Sequence, residues 1–139
     1  MSTLSKQRQK VLAADVAIYE RSLDSAVQVF QKTLEQDGTL SLMEVHTLTQ
    51  LHSALLDTMP IADHIIYLRA SPELAFNRAK ARNEGGDEQL KLDYVRKLHT
   101  NYEVMIENCS KEVLFLEASE NENDIAEKAV EWIVKKMKK

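Results

Sequence analysis

The fold is decided by the stretch His64-Ile65-Ile66-Tyr67-Leu68-Arg69-Ala70-Ser71-Pro72-Glu73, which joins an apolar run to a helix start. The apolar run is continuous rather than alternating, as is typical of a strand covered on both faces in a parallel sheet. Ser71 offers a capping hydroxyl, Pro72 suits the first helical position, and Glu73 places an acid in the first turn. The stretch therefore predicts a strand followed directly by a helix that runs to about Arg82.

Two further apolar runs have the same character, Val16-Ala17-Ile18-Tyr19 and Val113-Leu114-Phe115-Leu116. Between and after the runs, apolar residues recur at helical spacing. The helical sets are Ala26, Val29, Phe30 and Leu34; then Leu48, Leu51, Leu55 and Met59, closed by Pro60; then residues 92–107; and finally Ile125, Ala129, Trp132 and Ile133 in a helix opened by Asp124. Strands that alternate with helices predict an α/β fold, a parallel sheet of three strands with flanking helices.

The length and net charge of the chain limit the classes of protein to which it can belong. The 139 residues, with 18 Lys+Arg against 22 Asp+Glu and a net charge of -4, predict one domain over residues 1–139 and argue against a dedicated nucleic-acid binder. No apolar stretch approaches the roughly 20 residues that cross a bilayer, so no membrane partner is expected. The single Cys109 favours a reducing compartment, and we predict a cytoplasmic location. Residues 1–10 are basic and hydroxyl-rich without an acid, which leaves a mitochondrial location open.

A charged corner, Glu20-Arg21-Ser22, comes directly after the first predicted strand. Ligands of open α/β sheets bind beyond the carboxyl ends of the strands, so these side chains are expected near a bound anion. The Arg21 guanidinium offers a planar fork for phosphate or hydroxyl oxygens, and the Glu20 carboxylate can hold Mg²⁺ through water. The alternative is a solvated corner in which Ser22 only caps the next helix.

Two arginines, Arg78 and Arg82, are four residues apart and therefore share one face of the predicted helix. The helix leads into a connection that contains Gly85-Gly86. Paired cations on a helix of this kind resemble a lid that closes over polyphosphate and neutralises charge during phosphoryl transfer. The alternative is a pair of solvated arginines on an amphipathic helix.

Taken together and in order, these segments resemble the deoxynucleoside kinase family, from about Ala14 onward. The residues that carry the resemblance are Ile18-Tyr19-Glu20-Arg21-Ser22-Leu23-Asp24-Ser25-Ala26, Ile65–Glu73, Arg78, Arg82, Leu92-Asp93-Tyr94-Val95-Arg96-Lys97-Leu98-His99, and the strand 113–116. The resemblance implies ATP-dependent phosphorylation of the 5′ hydroxyl of a deoxynucleoside. It also implies ATP and Mg²⁺ as ligands, and a possible homodimer formed by the paired helices after the charged corner.

The resemblance assigns roles to four residues of the first half of the chain. Arg21 matches the arginine that contacts the nucleoside 5′ oxygen and the incoming phosphoryl group, with Glu20 beside the metal. Ala26 and Phe30 match positions that line the base pocket, where the ring can stack on a base and the methyl leaves room for a pyrimidine 5-methyl group. Without the resemblance, Ala26 and Phe30 are ordinary core residues of an amphipathic helix.

The resemblance also assigns the predicted lid. Arg78 and Arg82 match lid arginines. Asp87 lies where the family usually has a glutamate that binds the sugar 3′ hydroxyl, and Glu88 could take that role instead. A further lid arginine of the family falls on Glu84, which reverses the charge at that position.

The family's phosphate-binding loop, a glycine-rich turn followed by Lys and Ser or Thr, has no counterpart in this sequence. The paired glycines Gly85-Gly86 are not followed by Lys-Ser. The segment with the carboxylate general base is missing too, so the chain resembles the C-terminal two-thirds of a kinase and predicts an incomplete, doubly wound P-loop-kinase-like sheet. The missing strand belongs between the strand that precedes Glu20 and the strand around Tyr67.

Three hypotheses follow. The first is an ATP-dependent deoxynucleoside kinase of which this chain is an incomplete or inactive form. The second is a non-catalytic remnant that dimerises or binds nucleosides, and the third is an unrelated α/β interaction domain. A phosphate-binding loop encoded upstream of Met1 would favour the first over the second, and a folded chain with no nucleoside or nucleotide affinity would favour the third.

Overall fold

The computed structural model describes residues 15–138 and divides the chain into two compact units. The first unit extends to Ala62 and the second begins at Asp63. No helix among the described residues is long and apolar enough to cross a membrane. The possible targeting segment at residues 1–10 lies outside the described residues, and the single domain over 1–139 stays a prediction.

The first unit begins with a helical segment, α1, over residues 23–36. It is α-helical at Leu23–Ser25, π-helical at Ala26–Gln31 and α-helical again at Lys32–Gln36. Ser22 caps it in a reciprocal box, since the Ser25 amide donates to Ser22 Oγ at 3.1 Å and the Ser22 amide donates to Ser25 Oγ at 3.0 Å. The predicted capping role of Ser22 is confirmed.

Helix α2 spans Leu42–Leu56 and is capped by Ser41. The buried Gln31 side chain links α1 to α2, because its amide donates to Thr49 Oγ1 at 3.2 Å. Val29 and Thr33 are fully buried and form the centre of this unit. Helical spacing predicted Leu51 and Met59 on one helix; Leu51 lies on α2 and is 54% exposed, whereas Met59 lies beyond the end of the helix.

The predicted first strand at Val16–Tyr19 is wrong. These residues form bends and coil, and Ile18 is 75% exposed. A strand needs a neighbour for its backbone amides and carbonyls, and the first unit contains no strand among its described residues. A continuous apolar run is typical of a buried strand, but the run does not itself provide a neighbouring strand. The sheet of the described residues therefore has two strands rather than the predicted three.

The second unit has the predicted α/β order. Strand β1 (His64–Arg69) pairs in parallel with strand β2 (Glu112–Glu117), with Ile66 opposite Leu114. The connection between them holds helix α3 (Pro72–Arg82), a 3₁₀ turn (Asp87–Gln89) and helix α4 (Leu92–Glu107), and helix α5 (Glu122–Met137) follows β2. The cap of α3 by Ser71 is confirmed, whereas α5 starts two residues before the predicted Asp124 because Asn121 caps it.

Helices cover both faces of the two-stranded sheet. Tyr67 of β1 stacks on Tyr102 of α4, with ring centroids 6.1 Å apart. His64, which points to the opposite face of the same strand, meets Trp132 of α5 edge-on at 5.4 Å. The most buried apolar side chains of this unit are Val95, Ile106, Leu116 and Ala118.

Candidate functional site

The charged corner of the first unit does not follow a strand, which corrects the prediction for Glu20-Arg21-Ser22. It leads into α1 instead, and Arg21 adopts a left-handed backbone conformation with φ of 63°. Such a conformation costs a residue with a side chain roughly 1–2 kcal/mol. Backbone strain of this kind concentrates at functional sites. The conformation of Arg21 is therefore consistent with a functional position.

Arg21 and Phe30 lie together in the first unit. The guanidinium carbon of Arg21 is 5.0 Å from the centroid of the half-buried Phe30 ring, within range of a cation–π contact. Arg21 also lies 3.7 Å from the Glu20 carboxylate, and both side chains are largely exposed. Ala26 occupies an exposed position on the π-helical segment. The structure thus brings a cation, an aromatic ring and a carboxylate to one corner.

The two arginines of α3 have different partners in the second unit. Arg78 donates from Nη2 to the carbonyl oxygen of Ala118, just after β2, at 2.8 Å. Arg82 forms a forked ion pair with Asp87, with Nε and Nη2 3.2 and 3.1 Å from Oδ2. The helix ends at Asn83, whose left-handed conformation turns the chain back toward α3. Both carboxylates of the predicted lid, Glu84 and Asp87, therefore approach Arg82.

Lys80, on the same helix as the two arginines, has no role assigned to it from the sequence. Its ammonium donates to the backbone carbonyls of Asp87 and Glu88, each at 2.8 Å. It also lies 5.5 Å from the Phe76 ring centroid. Lys80 thereby fixes the backbone of the turn that carries Asp87.

Residues 15–138 contain no group of three or more His, Cys, Asp or Glu side chains placed to hold a metal ion. The Glu20 carboxylate is a single, 88% exposed group. One exposed carboxylate fits Mg²⁺ that is held mainly by water and by the phosphates of a nucleotide, rather than a closed protein site.

The deoxynucleoside kinase family model matches residues 1–139, the whole chain. The chain belongs to the deoxynucleoside kinase family. This confirms the resemblance drawn from the corner and lid segments.

Three proteins with similar sequences come from different organisms. A putative kinase protein 029R of Invertebrate iridescent virus 3 is 34% identical over 96 residues, which cover 68% of this chain and 48% of the viral protein. The mitochondrial deoxyguanosine kinase of Xenopus laevis is 35% identical over 103 residues, covering 72% of this chain and 39% of that kinase. The deoxyadenosine kinase of Dictyostelium discoideum is 30% identical over 112 residues, covering 79% and 44%. The chain spans about half or less of the length of these relatives.

A further polar network of the chain links β1 to α4. Glu103 receives hydrogen bonds from Tyr67 Oη at 2.9 Å and from Arg69 Nε and Nη2 at 3.0 and 2.6 Å, with His99 Nε2 3.9 Å away. The sequence marked Tyr67, Arg69 and His99 only as carriers of the resemblance. Tyr67 and Arg69 meet Glu103 across more than thirty residues, so spacing gave no signal for these two contacts. His99, by contrast, lies four residues before Glu103 on the same helix.

The network shifts the ionisation of its members. Burial works to raise the pKa of the Glu103 carboxyl, but hydrogen bonds from Arg69 and Tyr67 hold that pKa below its ordinary value. Burial and the bond to Glu103 raise the pKa of the Tyr67 hydroxyl well above its ordinary range. The network is therefore fully formed when Glu103 is ionised and Tyr67 is protonated.

We expect the chain to lose stability in acid through Glu103. Because its pKa is lower in the folded than in the unfolded chain, its stabilisation is present above the ordinary glutamate pKa of 4.5 and is lost as pH falls through the folded value. Thermal unfolding of wild type and Glu103→Gln, followed by circular dichroism between pH 7 and 3, should show the larger fall in midpoint for wild type. A difference of about 1 kcal/mol would appear as about 3–4 °C for a chain of this length. Parallel curves for the two proteins over this pH range would contradict the expectation.

Proposed function

We propose that this chain provides the nucleoside-binding corner and the phosphate-binding lid of an ATP-dependent deoxynucleoside 5′-kinase. The observation that carries the proposal is the contact of Arg21 with Phe30, in a chain of the deoxynucleoside kinase family. A half-buried aromatic ring can stack on a nucleobase, and an exposed guanidinium beside it can reach the oxygens of the sugar and of an incoming phosphate. The left-handed conformation of Arg21 supports a function in which its side chain is held in a particular position.

Each residue would contribute binding or charge rather than covalent chemistry. Phe30 and Ala26 would hold the base, and Arg21 would donate hydrogen bonds to the 5′ oxygen and the transferred phosphoryl group. Arg78 and Arg82 would neutralise the phosphates of ATP, the second substrate, after exchanging their present partners. Phosphoryl transfer depends mainly on such positioning and electrostatic stabilisation.

Two acidic roles complete the proposal. Asp87, or Glu88 beside it, would accept a hydrogen bond from the sugar 3′ hydroxyl. Glu20 would face Mg²⁺ through water, and the ion supplies neutralisation of phosphate charge when it is bound.

A non-catalytic, nucleoside-binding form is the second candidate. It is favoured by the lack of a glycine-rich loop followed by Lys and Ser or Thr within the 139 residues, and by an acid, Glu84, within the proposed lid. Both candidates bind a nucleoside, and they differ in turnover. The exposed Leu42, Met43 and Leu51 of α2 support a homodimer in either case, and the absence of a nucleic-acid partner stays a prediction.

We expect thymidine to bind the chain more tightly than deoxyguanosine, because Ala26 leaves room for the 5-methyl group of the pyrimidine. Equilibrium dialysis of the 139-residue chain against each nucleoside measures this directly. Ala26→Asp provides the control: Ala26 is exposed, so the fold should be kept, while the added acid should weaken thymidine more than deoxyguanosine. Equal binding of the two nucleosides by the wild-type chain would contradict the pocket assignment, and no binding of either would contradict the proposed function.

A further inference from the structure

The connection after α3 is closed by contacts among its own charged residues. Arg82 is 56% exposed, yet its guanidinium fork already holds the Asp87 carboxylate through Nε and Nη2. Glu84 lies on the same guanidinium, with its carboxylate 3.4 Å from Nε. The carboxylates of Asp87 and Glu84 therefore contact the Arg82 guanidinium, which the proposed lid would use to bind phosphate.

The Asp87 carboxylate is held in position beside Arg82 by further contacts. Its side chain is only 17% exposed, and its Oδ2 also receives the backbone N–H of Glu84 at 3.2 Å. Lys80 holds the backbone on the other side through the Asp87 and Glu88 carbonyls. Because the turn fixes the carboxylate, Asp87 meets Arg82 at little further cost in conformational entropy.

A phosphate and this carboxylate compete for the same donors. A guanidinium binds carboxylate and phosphate through the same planar pair of N–H groups, so Arg82 cannot give its Nε and Nη2 face to both. We propose that Asp87 is a gate on the lid: its carboxylate blocks Arg82 and must be displaced before Arg82 binds the phosphates of a nucleotide. This inference rests on the proposed function, and it assigns Asp87 a role toward phosphate that is separate from any contact with the sugar.

The gate predicts that removing the Asp87 charge strengthens phosphate binding. Asp87→Asn keeps the size of the side chain but weakens its hold on the guanidinium. We expect the affinity for inorganic tripolyphosphate to rise about two- to fivefold, as suits an ion pair that is partly exposed. Isothermal titration of the 139-residue chain with tripolyphosphate at low ionic strength measures the change. Glu107→Gln, an exposed position at the end of α4, is the control for the loss of one negative charge and should change the affinity much less.

A second variant tests the gate in case Asp87→Asn disturbs the turn. Glu84→Gln leaves Asp87 in place and should raise tripolyphosphate affinity less than Asp87→Asn, since Glu84 lies 3.4 Å from Nε whereas Asp87 forms the forked pair with Nε and Nη2. Equal affinities of Asp87→Asn and Glu107→Gln, weaker binding by Asp87→Asn, or no tripolyphosphate binding by any of the proteins would each overturn the gate. The proposed function fails separately, when dialysis shows no nucleoside binding.

Discussion

The purified 139-residue chain, supplied with ATP, Mg²⁺ and each of the four deoxynucleosides, is expected to show no measurable phosphoryl transfer. The reason is the lack of a phosphate-binding loop motif in its sequence, which leaves Arg78 and Arg82 as the proposed contacts to ATP. Positioning and neutralisation of the phosphates supply most of the catalysis in this class of reaction. Losing a single preorganised donor can cost about 10²–10³ in rate, so the loss of a whole loop should remove detectable turnover.

The assay is the formation of labelled deoxynucleoside monophosphate from labelled ATP. An intact deoxynucleoside kinase of another source, measured in parallel, shows that the assay conditions support the reaction. Arg21→Ala separates turnover by this chain from that of a contaminant. Robust product formation by the wild-type chain that Arg21→Ala abolishes would contradict the expectation and would favour the catalytic over the non-catalytic candidate.

The second large effect is expected at Phe30. Removing its ring in Phe30→Ala should weaken thymidine binding roughly tenfold or more, because stacking of a base on an aromatic side chain contributes about 1–3 kcal/mol. The ring also carries the Arg21 guanidinium at 5.0 Å, so its loss should leave that cation less well placed. Calorimetric titration with thymidine gives the affinity, and circular dichroism shows whether the helices persist.

Leu34→Ala is the matched control for Phe30→Ala. Leu34 lies on the same helical segment and is half-buried like Phe30, but no role in the pocket is proposed for it. If the pocket assignment holds, Leu34→Ala lowers stability with little change in thymidine affinity, whereas Phe30→Ala lowers affinity most. Similar affinities for the two variants would show that Phe30 is a core residue of an amphipathic helix and nothing more.

The second unit was predicted well because its signals are local. The cap at Ser71, the proline at position 72 and the apolar run before them fix a strand and a helix within ten residues. The run Val16–Tyr19 is also continuously apolar, but it does not form a strand. Strand formation there depends on a neighbour, and hydrophobicity within four residues carries no information about whether that neighbour is present.

The candidate site was predicted in its residue types but not in its contacts. Sequence order and family resemblance singled out Arg21, Phe30 and Arg82. The left-handed turn at Asn83 that brings Asp87 onto Arg82 is not visible in a helix pattern, and neither is the lysine that holds the turn. Contacts of this kind depend on backbone conformation at single residues, which propensity and periodicity do not resolve.

The π-helical segment Ala26–Gln31 determines how the first unit responds to a change in chain length. A π turn bonds each amide to the fifth residue back, one more than an α turn, so deletion of one residue here would allow the segment to close as ordinary α-helix. Because the π segment already accommodates one extra residue, the Arg21 corner would keep nearly its present direction relative to Gln31, which is anchored on α2. The same deletion within the α-helical residues Lys32–Gln36 would instead rotate the residues on its two sides by about 100° relative to each other.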